Sequence, residues 1–227
     1  MDVERRSIYQ LIQLIIDYIG ENQAQAPNSS LILDKLASMD LTEPRMSAQA
    51  PCSSRHDAIL EQAITNLTAP PLSSIAKQLK LAKPHLTWRE DNGLYYTEGA
   101  DLGEGYRSCN LHTLLIGPGA CGFEHPDFNL GIFMLGPRTL YRDHKHAAPE
   151  LYVNLSERSG WRLRESIHWQ DYPVGSLIWN ASNEVHATRV YEQPFLSIFA
   201  WLHDVQEPCE VVIRDDWAEI EESLTRL

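Results

Sequence analysis

The sequence predicts a mainly β chain with a helical region at its N-terminus, and three observations carry that expectation. Apolar residues recur at helical spacing through the first part of the chain. After Pro84 the texture changes to short runs rich in Trp, Tyr, Thr, Ile, Val and Leu, separated by Gly, Pro, Asn and Asp. Within that second part, His144 and His146 stand two apart, the spacing at which a strand presents two side chains on one face.

In the helical region, Ile8, Leu11, Ile12, Ile15, Ile16 and Ile19 fall on one face of a first helix, and Gly20 and Asn22 supply stop signals. Ser30 is placed to cap a short second helix. Residues 40–54, with Pro44, Pro51 and several Ser and Ala, read as a loop. Residues 55–68 read as a third helix with Ile59, Ala63, Ile64 and Leu67 inward, ended by Pro70 and Pro71, and 73–80 as another. The apolar stripe of the first helix needs a partner, so these helices are expected to pack on the outside of the β region.

The strand signals lie at 94–97, 111–116, 130–135, 150–155, 176–179 and 195–202. Many short strands punctuated by turn residues point to an all-β sandwich or barrel. Acids alternating with Trp217, Ile220 and Leu224 mark a terminal helix. The expected organisation is a helical cap at 1–83, a β barrel at 84–215 and a C-terminal helix at 216–227.

Composition bounds the function. With 227 residues and 43% hydrophobic content the chain can bury a core. Its net charge of −12 argues against nucleic acid or an anionic membrane surface as partner and suits a small-molecule enzyme. Cys52, Cys109, Cys121 and Cys209 form no C-x-x-C pair and read as reduced buried thiols. Asp2, Glu4, Arg5 and Arg6 precede an apolar stretch interrupted by Gln13, Asp17 and Tyr18. That pattern is neither a signal peptide nor a membrane span, and a cytoplasmic location follows by default.

The informative segment is Tyr141-Arg-Asp-His144-Lys-His146-Ala-Ala-Pro-Glu150-Leu-Tyr152. Its H-x-H-x3-E spacing resembles the first motif of the cupin superfamily, and Gly175 to His186 resembles the second. Ala181 stands where the usual proline would, and Asn183 replaces the turn glycine, a position at which Asn tolerates positive φ. Val190 departs from the motif's terminal Asn. The resemblance implies a cupin β-barrel, a double-stranded β-helix, in which His144, His146, Glu150 and His186 hold one divalent metal ion. Three imidazoles and a carboxylate suit Fe, Mn, Ni, Co or Zn alike. His56, His85, His112, His125, His168 and His203 lack a partner spacing and read as core or surface residues.

Two tyrosines flank the motif. Tyr152 follows Glu150 by two and shares its strand face. Tyr141 precedes His144 by three and reaches the same face only if the Arg142–Asp143 region bulges. A phenol near a divalent cation is a candidate base or ligand.

Tyr141, the run from His144 to Tyr152, His186 and Trp201 together resemble the cupin dimethylsulfoniopropionate (DMSP) lyases over roughly residues 84–205. The resemblance implies β-elimination from a small sulfonium carboxylate zwitterion, giving dimethyl sulfide and acrylate. Tyr152 would be the base, with Tyr141 able to take that part, and Trp201 and Trp179 would offer faces to the sulfonium. Tyr106 and Arg107, in Gly103-Glu-Gly105-Tyr106-Arg107, read as an exposed loop that could line the barrel mouth and contact substrate. Such an enzyme would be a monomer or homodimer. The four-ligand set also admits an Fe(II) dioxygenase, and a non-catalytic cupin binding a small carboxylate is a third reading.

Overall fold

The computed structural model describes residues 3–42, 45–47 and 49–227; Asp2 and Pro44, named above, lie outside these. Helix α1 (Val3–Glu21) buries Ile8, Leu11, Ile12, Ile15 and Ile19 along one side, as the periodicity requires. Then come α2 (Ser29–Ala37), α3 (Asp57–Thr65) and α4 (Ser73–Ala82). Ser30 is not the cap of α2, because the helix already includes Ser29. Pro70 and Pro71 open a 3-10 turn that leads into α4. The loop before α3 is tied down by isolated bridges from Met46 to Phe123 and from Cys52 to Thr87.

A short helix α5 (Glu104–Ser108) leads into β1 (Asn110–Gly117), β2 (Phe123–Glu124) and β3 (Asn129–Leu135). β4 (Leu140–Lys145), β5 (Glu150–Asn154), β6 (Arg158–Leu163) and β7 (Gln170–Pro173) follow. The chain continues through β8 (Leu177–Asn180), β9 (His186–Val190), β10 (Phe195–Trp201) and β11 (Glu210–Val211), and ends in α6 (Trp217–Thr225). The strands form two sheets, one in the order β2-β1-β3-β10-β5-β8 and one in the order β11-β4-β9-β6-β7. The mainly β, cupin-type fold expected from the sequence is the fold that forms.

Strand alternation sorts the six-stranded sheet into two cores. Leu130, Ile132, Met134, Leu151, Val153, Ile198 and Ala200 face outward and share one apolar core with α1 to α4. Phe133, Leu135, Tyr152, Ile178 and Phe195 face inward and meet Trp161 and Val190 of the other sheet. Every residue of β3 is buried, because helices cover one face and the second sheet covers the other. Tyr18 of α1 fastens the two layers by donating its hydroxyl to the Gly175 carbonyl at 2.8 Å. On the far side, Trp217 and Leu224 of α6 pack with Leu140 of β4.

The expected strand at 94–97 does not form. Asp91 Oδ1 accepts from the backbone N–H of Gly93 (2.9 Å) and of Leu94 (2.8 Å), and Gly93 has φ +94°, so the chain turns there. Only an isolated bridge from Tyr96 to Cys209 remains. All four cysteines are free; Cys109, Cys121 and Cys209 are buried, but Cys52 is exposed.

Candidate functional site

β4 and β9 run side by side, with His144 paired to His186 and Tyr141 to Thr188. Two residues of β4, Arg142 and Asp143, therefore oppose the single Ala187 of β9, which is a β-bulge. The bulge lets Tyr141 and His144 face the lumen together despite their odd spacing; their ring centroids are 4.2 Å apart. His146 follows His144 by regular alternation. Glu150 enters from β5 in the opposite sheet.

His144, His146 and His186 are buried, and one ring nitrogen from each lies within 4.8 Å of the others. Each opposite ring nitrogen is held by a backbone carbonyl. His144 Nδ1 donates to Arg142 O at 2.8 Å, His146 Nδ1 to Ala148 O at 2.8 Å and His186 Nδ1 to Glu184 O at 2.9 Å. With Nδ1 carrying the proton, each neutral ring turns an Nε2 lone pair inward. Glu150 Oε2 stands 3.1 Å from His146 Nε2 and 3.3 Å from His186 Nε2. His186 Nε2 is buried and makes no aligned hydrogen bond despite that closeness. Acceptors thus converge on acceptors in a dry interior, an arrangement that a shared cation satisfies, so this donor set fits a divalent metal.

The electrostatics agree. Burial, with His186 and His146 nearby, holds His144 well below the usual imidazole range. Burial alone would raise the Glu150 carboxyl, but positive charge and hydrogen bonds from the His146 and His186 side bring it far below the usual carboxylate range, a pull that a cation shared with neutral rings would exert in their place. The indole of Trp201 donates to Glu150 Oε1 at 2.7 Å, and its ring lies 4.6 Å from that of His146. On the second motif's turn, Asn183 adopts φ 58° as expected, and its N–H donates to His146 O at 2.8 Å.

Glu150 and Trp201 open on a cavity of about 510 Å³, mouth included, between the sheets. Tyr152, Tyr141, Tyr106 and Trp201 line it. The Tyr152 hydroxyl faces the Glu150 carboxylate, and burial followed by that negative charge pushes its phenol well above the ordinary range. Tyr141 is raised likewise, by burial first and then by Tyr152, and its hydroxyl meets that of Tyr96 at 2.5 Å.

Three expectations need correction. Tyr106 is not in an exposed loop. It is buried on α5, stacked on Tyr141 with centroids 4.8 Å apart, and donates to Asp91 Oδ2 at 2.8 Å. Trp179 does not reach the cavity, because alternation along β8 turns Ile178 inward and Trp179 outward, against the core shared with the helices. His112 is neither bland core nor surface: it lines the cavity, 3.0 Å from the Tyr95 hydroxyl. Asp91, Tyr95, Tyr96, Phe133, Phe199 and Cys209 also line the cavity, and none was singled out from the sequence. Phe199 and Trp201 share the inward face of β10, a parity visible in the sequence, but which face points inward required the second sheet. Arg107 is exposed and donates to Ala100 O.

Among the described residues no helix is long and apolar enough to cross a membrane. No curated protein matches the sequence. Two crystal structures of DMSP lyases resemble the fold. One, from work on RdDddP and RnDddQII, is 19% identical with a TM-score of 0.69, covering 92% of this chain and 100% of that one. The other, DddQ from Ruegeria pomeroyi, is 20% identical with a TM-score of 0.65, covering 89% and 96%. At such identities the likeness is one of fold. The sequence itself matches the dimethylsulfoniopropionate lyase family over residues 25–197, well over half its length, and the chain belongs to that family.

Proposed function

We propose that this chain is a metal-dependent lyase that converts DMSP to dimethyl sulfide and acrylate by β-elimination. The supporting observation is that three histidines and Glu150 converge beside two phenol hydroxyls in one aromatic cavity, in a chain of the DMSP lyase family. His144, His146, Glu150 and His186 would hold the metal. When bound, a divalent ion there supplies positive charge that stabilises the enolate-like carboxylate and lowers the proton affinity of a neighbouring phenol.

The remaining work falls to the chain. As the phenolate that a bound divalent ion would favour, Tyr152 takes the proton α to the carboxylate; the C–H electron pair forms the new C=C bond, and the C–S bond breaks with its pair going to sulfur. Tyr152 suits this role because its hydroxyl faces Glu150 at the centre, whereas that of Tyr141 is engaged by Tyr96. Trp201 fixes the Glu150 carboxylate through its indole N–H and offers its ring to the substrate bound beside it. The buried aromatic walls exclude water from the carbanion-like transition state.

The test is to incubate metal-reconstituted protein with DMSP and measure dimethyl sulfide by gas chromatography, with and without oxygen. Release in both conditions is expected. Absence of dimethyl sulfide would overturn the substrate, and a strict oxygen requirement would overturn elimination.

A further inference from the structure

We infer that Asp91 is the counter-charge for the cationic end of the substrate and makes the cavity prefer a cation over a neutral group of the same shape. The inference deepens the DMSP reading above and rests on it for the identity of the ligand.

Asp91 lines the cavity and is 2% exposed. Its carboxylate partners are all neutral: the backbone N–H groups of Gly93 and Leu94 on Oδ1 and the Tyr106 hydroxyl on Oδ2. Among the described residues no Lys or Arg forms an ion pair with it. Arg89, two residues away, is exposed. His112, also in the cavity wall, does not supply a cation either: burial brings its imidazole down to about 4, with Asp91 opposing and Arg89 reinforcing that shift. A buried charge normally has a partner of opposite sign. Asp91 is one of the residues lining the cavity, so a cationic ligand there would supply that partner.

The spacing suits a zwitterion. Tyr106, which donates to Asp91, stacks on Tyr141, and Tyr141 lies against His144. Asp91 is therefore two phenol rings removed from the histidine cluster. A ligand whose carboxylate sits at that cluster would extend its other end along the tyrosines toward Asp91. The rings already favour an onium group over a branched alkyl group of the same shape through cation–π attraction. A fixed negative charge in the same wall adds to that preference, and the added part is the share that depends on Asp91.

The experiment titrates the metal-reconstituted full chain by calorimetry with 3-(trimethylammonio)propanoate and with 4,4-dimethylpentanoate. These probes share a carboxylate and a shape and differ in one charge. Wild type should bind the cation at least roughly tenfold more tightly. Asp91→Asn, which keeps an acceptor for the Gly93 and Leu94 amides, should lose most of that preference while binding the neutral acid as before. Equal binding of the two probes by wild type overturns the inference without any variant. So does a preference that survives Asp91→Asn undiminished, or an equal loss of affinity for both probes, which is the mark of a merely structural residue. DMSP turnover on the same preparations reports separately. Turnover without charge preference removes the Asp91 inference alone, and an Asp91-dependent preference without turnover removes the lyase reading alone.

Discussion

Asp143 and Arg162 form a buried two-point ion pair directly behind the bulge that turns Tyr141 toward the histidines. Arg162 Nε lies 3.0 Å from Oδ1 and Nη2 2.5 Å from Oδ2, with side chains 2% and 0% exposed. Trp217 of α6 adds an indole donor to Asp143 Oδ2 at 2.8 Å, and Asp216 takes the outer edge of the same guanidinium. Neighbouring Arg142 reaches Glu221, so both bulge residues are gripped by the C-terminal segment.

The first prediction concerns this pair. Arg162→Met leaves the Asp143 charge buried with less compensation and should cost about 3–5 kcal/mol in urea unfolding. Replacing Asp143 by Leu as well should recover part of the loss. A cost below about 1 kcal/mol would mean that Arg214, 3.7 Å from Asp143, takes over the charge.

The second concerns the metal. His186→Ala removes one of four converging donors and should sharply reduce bound metal in elemental analysis. The same variant, and wild type treated with a chelator, should stay folded at room temperature, because the core between the helices and the six-stranded sheet lies outside the lumen. Unchanged metal content would overturn the ligand assignment, and chelator-induced unfolding would make the centre structural.

The third separates the tyrosines. Tyr152→Phe keeps the ring and its packing against Trp161, at a 5.0 Å centroid distance. It should lower kcat by about 10²-fold or more with little change in metal content. Tyr141→Phe should cost less. A larger loss at Tyr141 would transfer the base role, and wild-type rates in both would exclude a tyrosine base.

The fourth is a pH effect on stability. His112 titrates near 4 when folded and near 6.5 when unfolded, so between those values the unfolded chain binds a proton that the folded chain does not. This contribution is complete above pH 6.5 and is lost as the pH falls toward 4, up to about 3 kcal/mol in all. His112→Gln should flatten that part of the pH–stability curve in chemical denaturation. An unchanged slope would show that other groups carry it.

The site was legible where the chemistry is local. His144, His146, Glu150 and His186 obey fixed spacings, and Asn183 is one of few residues able to stand in for the turn glycine. Strands β4 and β9 were harder, because Arg142, Asp143 and Arg189 look solvent-exposed in sequence. They are instead covered by α6 and by Trp169, over which the Arg162 and Arg189 guanidinium groups lie. The far wall of the cavity was hidden altogether. Asp91, Tyr95 and Tyr96 come from a segment whose apparent strand signal at 94–97 gives way to a turn, and they reach the cavity only through packing. Trp179 misled because an aromatic residue beside a motif says nothing about which face it takes.

The bulge in β4 has a consequence for how this chain could change by insertion and deletion. A regular strand alternates, so it would offer α6 one outward anchor in the interval between Tyr141 and His144. The additional residue offers two, Arg142 for Glu221 and Asp143 for Trp217 and Arg162, while both inward residues keep their facing. Loss of one codon there would restore simple alternation and leave the tyrosine and the histidines in the lumen. It would also remove one of these two anchors of the C-terminal helix. Chain length at this point therefore governs the attachment of the terminus and leaves the chemistry alone.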